Sequence, residues 1–433
     1  MVQDDGPVGL DGVEVVFDDR RAVSDAGIVL VATLAQRLGI EALTTRFVRL
    51  GDRPGAANPG RKLMTLIYAM VLGADSIDDC DLLRAGRLSA LLGRVAAPST
   101  LGTFLRAFSF GHVRQLDRLL AEALRRAWSA GAGPGGGRLV VDVDSFIGEV
   151  HGYQKQGARF GYTRRRGYHP LLATRADTGE VLHVRLRKGS AGSPRGVLRF
   201  AEELIARVTR AGASGPKLLR ADSAFWNKKL IARLEQAGWL YSISVRMQYW
   251  VPAAIAEIPE SAWHSLEDYP PAGEAQIAET TAGGRRLIIR RTRLVGPQAE
   301  LWPEWRHFPF ITNRSEPLEL VEREHRQHAV VELAIRDLKD QALAHFPSGR
   351  FNANAAWTVI GCLAHNLLRW TSVIGLPQTT IRATRSARRR LLALPGRLTR
   401  SARRWTLHLP ARWPWQHDFI RALARIRALP AAA

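Results

Sequence analysis

The sequence predicts an α/β fold in which helices pack on a mixed β-sheet, preceded by an all-helical segment. From residue 137 onward, stretches of strand and helix character follow one another in the order three strands, helix, strand, helix, strand. Between residue 20 and about residue 130, apolar residues recur at helical spacing. A hairpin followed by helical crossovers is typical of a mixed sheet that is covered by helices.

Each element of the sheet region has its own signal in the sequence. The short apolar runs "RLVVDVDSF", "KLLRAD" and "WLYSISV" predict strands. The stretch "GYHPLLATRADTGEVLHVRLRKG" predicts a hairpin with its turn at Ala176 to Gly179. Helical periodicity in "PRGVLRFAEELIARVTRAG" and "NKKLIARLEQAG" predicts the two helices that separate the later strands.

Residues 247 to 308 interrupt this alternation. Pro-rich turns and a hairpin around Gly283-Gly284 predict a β-rich insertion, after which "HFPFITN" returns to the core. A long helix is predicted for residues 318 to 345, followed by another in "AAWTVIGCLAHNLLRW". The predicted organisation is a helical N-terminal DNA-binding domain (1–136), the first part of the core (137–246), the insertion (247–308), the rest of the core (309–375) and an Arg/Trp-rich tail (376–433).

The charge of the chain indicates a polyanionic partner, most often a nucleic acid. The net charge is +22, and the pI is near 11.1. A GC-rich genome could explain why the basic residues are mostly arginine. It does not explain the shortage of acids, since no Asp or Glu occurs between Asp340 and Asp418. No apolar run has membrane-spanning length, and two cysteines cannot form a disulfide framework, so a cytoplasmic protein is expected.

Four acidic residues are candidates for a metal site. Asp142 and Asp144 are two apart on one strand and share a face, Asp222 ends a later strand, and Glu332 lies on a helix. Carboxylates from two strands and a helix suit Mg²⁺, which prefers oxygen ligands and substrate phosphates. On a strongly basic protein, such a site indicates cutting or joining of DNA. The alternative is that these aspartates are ordinary turn residues, and spacing does not separate Asp142 from Asp144.

The stretch "HRQHAVVELAIRDLKD", residues 325 to 340, predicts a helix with two different sides. Val330, Ala334 and Leu338 follow one side. The other side is a polar stripe of His325, His328, Glu332, Arg336 and Lys339. The stripe is either a solvated face or a working face with one carboxylate among cations.

Three stretches carry a resemblance to a known family. "VVDVDSFIGEVHGYQKQGARFGYTRRRGYHPLLA", "RADSAFW" and "HRQHAVVELAIRDLK" resemble the DDE transposases of bacterial insertion sequences, in particular the IS-thirteen-eighty group, relatives of the IS-four superfamily. The resemblance covers about residues 95 to 375. It implies an RNase H-like catalytic core with a β insertion, and DNA strand cleavage and transfer that depend on Mg²⁺, with Mn²⁺ as a substitute. It also implies double-stranded DNA as transposon ends and target, a homodimer on DNA, and a bacterial, nucleoid-associated location in the cytoplasm.

The same resemblance assigns roles to individual residues. Asp144, which is followed by Ser145, is expected as the first catalytic acid with Asp142 as competitor, and Asp222 and Glu332 as the second and third. The superfamily's helix signature is Tyr, two residues, Arg, three residues, Glu, six residues, Lys. Glu332 and Lys339 match it, whereas His325 and His328 replace its Tyr and Arg. The residues expected to contact DNA are Lys155, Arg164, Arg165, Arg166, His325, His328, Arg336, Lys339 and Trp250.

Two other functions remain open from the sequence. One is a DNA-binding protein without catalysis, such as a decayed or repurposed transposase, which the two histidines in the signature helix allow. The other is a nuclease on the same core that cuts DNA and never joins it. Detection of strand-transfer products would distinguish the transposase from the nuclease.

Overall fold

A mixed β-sheet forms the centre of the molecule. The computed structural model describes residues 10–161, 163–267, 273–294, 305–378 and 383–431. Its strands are β1 (Ala22–Val23), β2 (Leu139–Ser145), β3 (Gly148–Glu149), β4 (Arg159–Phe160), β5 (Arg166–Tyr168), β6 (Leu171–Arg175), β7 (Val181–Arg185), β8 (Lys217–Ala221), β9 (Leu240–Ser244), β10 (His264–Ser265), β11 (Gly273–Ala282), β12 (Arg285–Leu294), β13 (Arg306–Thr312), β14 (Gly396–Ser401) and β15 (Arg404–His408). The central sheet has nine strands in the order β10-β11-β12-β13-β9-β8-β2-β6-β7.

Helices make up most of the N-terminal part and cover the sheet. They are α1 (Ile28–Arg37), α2 (Ile40–Phe47), α3 (Pro59–Leu72), α4 (Leu88–Leu92), α5 (Pro98–Arg106), α6 (Phe110–Ala127), α7 (Val197–Ala211), α8 (Lys228–Gln236), α9 (Trp250–Ala256), α10 (Leu318–Arg326), α11 (Val330–Lys339), α12 (Phe351–Gly375), α13 (Thr384–Ala387) and α14 (Gln416–Ala428). The predicted helical segment contains α1 to α6, but also β1, which pairs with β14. One cluster of buried hydrophobic residues extends from Val23 to Ile426, because α12 packs against α3, α5, α6 and α14.

The alternation predicted for residues 137 to 246 is confirmed. The chain forms β2, the hairpin β6–β7, then α7, β8, α8 and β9. β2, β8 and β9 are parallel neighbours at the centre, while β6 pairs antiparallel with β2 on the other side. Between β2 and β6 the chain adds a small sheet, β3-β5-β4, which the sequence did not predict. The parallel centre places the carboxyl ends of β2 and β8 at one edge of the sheet.

The insertion extends the central sheet and also contains a helix. Near its start it contains the short helix α9, which the sequence did not predict within the β-rich insertion. β11 and β12, which have ten residues each, form a hairpin that turns at Gly283 and Gly284, whose φ angles are 58° and 74°. Positive φ at both central residues matches the right-handed twist of the strands, which is why two glycines occupy the turn. β12 then pairs with β13, and β13 pairs with β9.

The single helix predicted for residues 318 to 345 is wrong in two respects. It is interrupted by a 3-10 turn at Gln327–Ala329, between α10 and α11, and it ends at Lys339. The guanidinium of Arg220 lies at this interruption and donates to the carbonyls of Glu324 and Gln327. Carbonyls that bond a side chain are diverted from the helical ladder, which is a recognised cause of a helix break. The predicted polar stripe is therefore divided between two helical segments.

Among the described helices, no single one is long and apolar enough to cross a membrane. The pair α1 and α2 passes the same test of length and composition when taken together, across a bend of 54°. Ile28, Leu30 and Leu34 of α1 are fully buried in the protein core.

Candidate active site

Asp144 and Asp222 lie at the same edge of the central sheet. Asp144 is the next-to-last residue of β2, and Asp222 directly follows β8. The two strands are parallel, with Val143 opposite Ala221. The aspartates therefore hold adjacent backbone positions, one strand spacing of about 4.8 Å apart. The carboxyl ends of parallel strands are where α/β proteins bind their ligands.

Glu332 reaches this edge from a helix. It is exposed in the first turn of α11, and α11 packs against β2. Glu332 and Asp222 line one pocket of about 410 Å³ together with His325 and His328. The structure thus brings an acid from each of two strands and one helix to a single place.

The electrostatics of Asp144 reflect the closeness of the three acids. The pKa of Asp144 is raised to about 6. Burial is the main cause and the negative charges of Asp222 and Glu332 add to it, while the bond from the Ser145 N–H and the nearby His328 oppose it. The Ser145 N–H donates to Asp144 Oδ1 at 2.6 Å. None of the three acids forms an ion pair with a described residue. The site therefore accumulates negative charge that a cation would neutralise.

The donor set suits a hard divalent cation in an open site. Within the described ranges, no three His, Cys, Asp or Glu side chains form a group that could by itself hold a metal ion. Mg²⁺ is usually held by one or two carboxylates plus waters and substrate phosphates, and does not need an enclosed protein cage. Three unpaired carboxylates, of which Asp144 has a raised pKa, fit that mode of binding.

Asp142 has a different environment from Asp144, although both point to the same side of β2. Its carboxylate is fully buried and accepts two bonds from Arg220, from Nε at 2.7 Å and from Nη2 at 2.8 Å. Burial raises the pKa of Asp142, and the pairing with Arg220 opposes this. Both carboxylate oxygens of Asp142 are thus bonded to Arg220. Asp144 has no such ion pair with a described residue and lies closer to the edge of the sheet.

The two histidines of the signature helix have different contacts. His325 Nδ1 lies 2.7 Å from Ser242 Oγ, its Nε2 lies 3.0 Å from Ser244 Oγ, and its ring stacks on Phe310 at 4.0 Å. Burial lowers the pKa of His325 to about 3, so its ring is neutral at physiological pH. His328 is half-buried beside Asp144, where Nε2 donates to the carbonyl of Val143 at 3.3 Å.

Three of the cations predicted to contact DNA are engaged within the protein. Lys155 donates to the carbonyl of Phe346, and Arg165 pairs with Glu149. Arg166 donates to the carbonyl of Tyr153 at 2.5 Å and lies 4.8 Å above its ring. These contacts fold the loop that follows β3.

The other predicted DNA contacts are more accessible. Arg164 and Arg336 are exposed, and their side chains form no hydrogen bond or ion pair in the part of the chain that the structure describes. Lys339 is exposed, with Nζ 5.1 Å from the Phe146 ring. The half-buried Trp250 lies 6.4 Å from the ring of Trp226, and its Nε1 donates to Gln248 Oε1 at 3.1 Å.

Sequence reasoning missed a hydrogen-bonded chain beside Asp144. The fully buried His169 donates from Nδ1 to the Ala191 carbonyl at 2.5 Å, so its Nε2 accepts from Ser145 Oγ at 2.9 Å. Ser193 Oγ then donates to Ser145 Oγ at 3.3 Å. His169 belongs to the stretch "GYTRRRGYHPLLA", but the fold alone brings it to Ser145.

A basic protein with a mixed sheet and three acids at one sheet edge is typical of the DDE class of DNA-processing proteins. The family model described as transposase DDE domain group 1 matches residues 6–431, and the chain belongs to that family. Among solved structures, the chain is similar to the piggyBac transposase in a synaptic complex with hairpin DNA. The match has a TM-score of 0.48 and 13% identity and covers 86% of this chain and 80% of that chain. No curated protein matches the sequence.

Proposed function

We propose that this member of the DDE transposase family excises and integrates an insertion sequence of the IS-thirteen-eighty group. The observation that carries the proposal is the meeting of Asp144, Asp222 and Glu332, whose mutual repulsion contributes to the raised pKa of Asp144. Asp144 is the first catalytic acid, Asp222 the second and Glu332 the third. Asp142 is a structural carboxylate, an assignment that its buried pairing with Arg220 supports.

These three carboxylates would hold Mg²⁺, or Mn²⁺ in its place. The ions would supply activation of a water or 3′-hydroxyl nucleophile and stabilisation of the leaving oxygen. The protein would hold the three carboxylates in position. β2 and β8 fix two carboxylates one strand spacing apart, and α11 adds the third from above the sheet edge. The outcome would be hydrolysis at each transposon end followed by strand transfer to target DNA.

The catalytic core is proposed to be RNase H-like. The antiparallel β7-β6-β2 strands next to the parallel trio β2-β8-β9 support this, as does the position of the insertion between Asp222 and Glu332. We propose the helical region 1–136 and the Arg/Trp-rich tail 376–433 as DNA-binding parts. The protein would act as a homodimer on double-stranded DNA in the bacterial cytoplasm, associated with the nucleoid.

Among the predicted DNA contacts, Arg164, Arg336 and Lys339 are proposed to meet phosphates, because they are exposed beside the acids or on the adjoining loop. Lys155, Arg165 and Arg166 would shape that loop. His328 would lie next to Asp144 through its bond to the Val143 carbonyl, whereas His325 would act as a neutral part of the site floor.

The proposal is tested by a cleavage assay on DNA that carries the inverted repeats flanking the gene, with Mg²⁺ or with EDTA. Cleavage at the repeat ends should require metal. It should fall at least about a hundredfold in Asp222→Asn and Glu332→Gln, because lost metal ligands remove several kcal/mol of stabilisation. The exposed Glu319→Gln on α10 is the matched control and should cleave normally.

Each other outcome of that assay has a defined meaning. Cleavage without strand-transfer products would indicate a nuclease. Retention of the repeats without cleavage in Mg²⁺ or Mn²⁺ would indicate a DNA-binding protein. If Glu332→Gln cleaves as fast as the parent, the assignment of the third acid is wrong.

A further inference from the structure

We propose that a pocket at the start of α7 binds a backbone phosphate of the DNA strand that enters the active site. This inference rests on the proposed function. The pocket has a volume of about 500 Å³ and lies at the β7 edge of the central sheet. Its walls come from β6, β7, the loop between β7 and α7, and the first turn of α7.

The charge of the pocket is strongly positive. Five cations line it, namely Arg185, Arg187, Lys188, Arg195 and Arg199, and no carboxylate of the described residues does. Glu203 neutralises part of this charge, since it pairs with Arg185 and lies 3.3 Å from Arg199. Arg187, Lys188 and Arg195 form no ion pair with any residue that the structure describes. The unbalanced positive charge indicates an anionic ligand.

Arg187 is built into the wall of the pocket. It is only 9% exposed, and its Nε donates to the His169 carbonyl at 2.9 Å. Nη1 donates to carbonyls of the loop before α7, including that of Ser193 at 2.9 Å and that of Arg195 at 3.0 Å. Nη2 is buried and has no hydrogen-bond partner among the residues that the structure describes. Burying a guanidinium without a carboxylate is costly, and an anion in the pocket would offset that cost.

The start of α7 adds a second feature that favours anions. The helix has 15 residues and begins after Gly196, with no side-chain cap and no acidic residue in its first turn. The first N–H groups of a helix have no partner within the helix, and its dipole favours negative charge there. This feature is independent of Arg187, and both favour the same kind of ligand.

The position of the pocket relates it to the active site. Ser145, next to Asp144, is opposite Leu171 on β6, and Leu171 is opposite Arg185 on β7. Two strand spacings amount to about 10 Å. A DNA strand advances about 3.4 Å along the helix axis per nucleotide, and neighbouring phosphates are farther apart than this rise, so the bound phosphate would lie within about three nucleotides of the cleaved bond. Ser193, whose carbonyl accepts from Arg187 in the pocket wall, is also hydrogen-bonded to Ser145 beside Asp144.

Salt dependence of DNA binding tests the site without catalysis. The parent protein, the double variant Lys188→Ala/Arg195→Ala and the control Arg210→Ala are compared on repeat-end DNA in EDTA. Arg210 is exposed on the same helix but near its other end. Loss of one phosphate contact lowers the slope of log affinity against log salt by about 0.9, so the affinity gap to the parent narrows about 3.5-fold between 50 and 200 mM salt. Arg210→Ala should keep the parental slope.

A second measurement locates the phosphate. Neutral methylphosphonate groups are placed one at a time along the strand. The parent should lose affinity at one position within about three nucleotides of the cleaved bond, and the affinity of the double variant should not change at that position. Equal slopes for the double variant and Arg210→Ala, or no sensitive position in the scan, would overturn the proposal. Binding of inorganic phosphate with unchanged DNA slopes would also overturn it.

The two proposals can fail separately. Shifted slopes in a protein that never cleaves the repeats would refute the proposed function and keep the phosphate site. Normal cleavage with unshifted slopes would refute the phosphate site alone.

Discussion

Replacing Asp144 by Asn should stabilise the metal-free protein while abolishing cleavage. The pKa of Asp144 rises from 3.8 to about 6 on folding, chiefly because of burial. A group whose folded pKa is raised is easier to protonate in the folded state, so its charge opposes folding once the pH exceeds the unfolded value. About two pKa units at 1.36 kcal/mol each correspond to about 3 kcal/mol.

The sign gives a defined pH profile. Below about pH 4 the carboxyl group is protonated in both states, and parent and Asp144→Asn should unfold with similar free energies. The variant should gain stability relative to the parent as the pH rises from 4 to 6, and the difference should level off near 3 kcal/mol above that range. Adding Mg²⁺ at pH 7 should reduce or reverse the difference, because the cation stabilises the ionised carboxylate.

Urea unfolding in EDTA at several pH values measures this difference. Glu319→Gln, an exposed acid on α10, is the control and should stay within about 0.5 kcal/mol of the parent at every pH. A variant that is less stable than the parent at pH 7 in EDTA would refute the reasoning, since it would mean that the charge of Asp144 stabilises the fold.

Three further predictions concern the ion pair of Asp142 and Arg220, the burial of His325 and the turn of the hairpin β11–β12. Asp142→Asn or Arg220→Met should each cost about 3–5 kcal/mol of unfolding free energy, because each leaves a buried partner without its match. The double variant should lose less than the two single losses combined, and additivity in urea unfolding would contradict the pairing. His325 should show no NMR titration between pH 5 and 8, because its pKa is about 3, and a midpoint near 6.5 would contradict its burial. Gly284→Ala should lower thermal stability by about 1–2 kcal/mol because its φ is 74°, whereas Gly349→Ala, at an open position, should not; equal melting temperatures for the two would contradict this.

The elements that the sequence predicted best are those with local signals. β2, β8 and β9 are short apolar runs, and two consecutive glycines predict the turn of the hairpin β11–β12. The apolar runs also indicate where β2 and β8 end. If the two strands are assumed to be parallel neighbours, the sequence is therefore enough to predict that Asp144 and Asp222 are adjacent.

Long-range pairing explains what the sequence did not predict. Spacing left Asp142 and Asp144 equivalent, because nothing local shows that Arg220, on another strand, takes both oxygens of Asp142. Likewise, Lys155 and Arg166 looked like free cations, but they bond backbone carbonyls whose positions depend on the folded loop. Hydrogen bonds to distant backbone leave no periodic trace in a sequence.

The Arg220 guanidinium takes part in two features that the sequence did not predict, the pairing of Asp142 and the break between α10 and α11. It binds Asp142 on β2 and, on its other side, the carbonyls of Glu324 and Gln327 at the break between α10 and α11. The break separates α10, where the His325 ring stacks on Phe310, from α11, which carries Glu332 in its first turn. His325 and Glu332 nevertheless line one pocket. Because Arg220 on β8 bonds both Asp142 on β2 and the carbonyls at the break, the buried ion pair helps to fix where α11 begins relative to the two strands, and this gives Asp142 a structural role near Glu332.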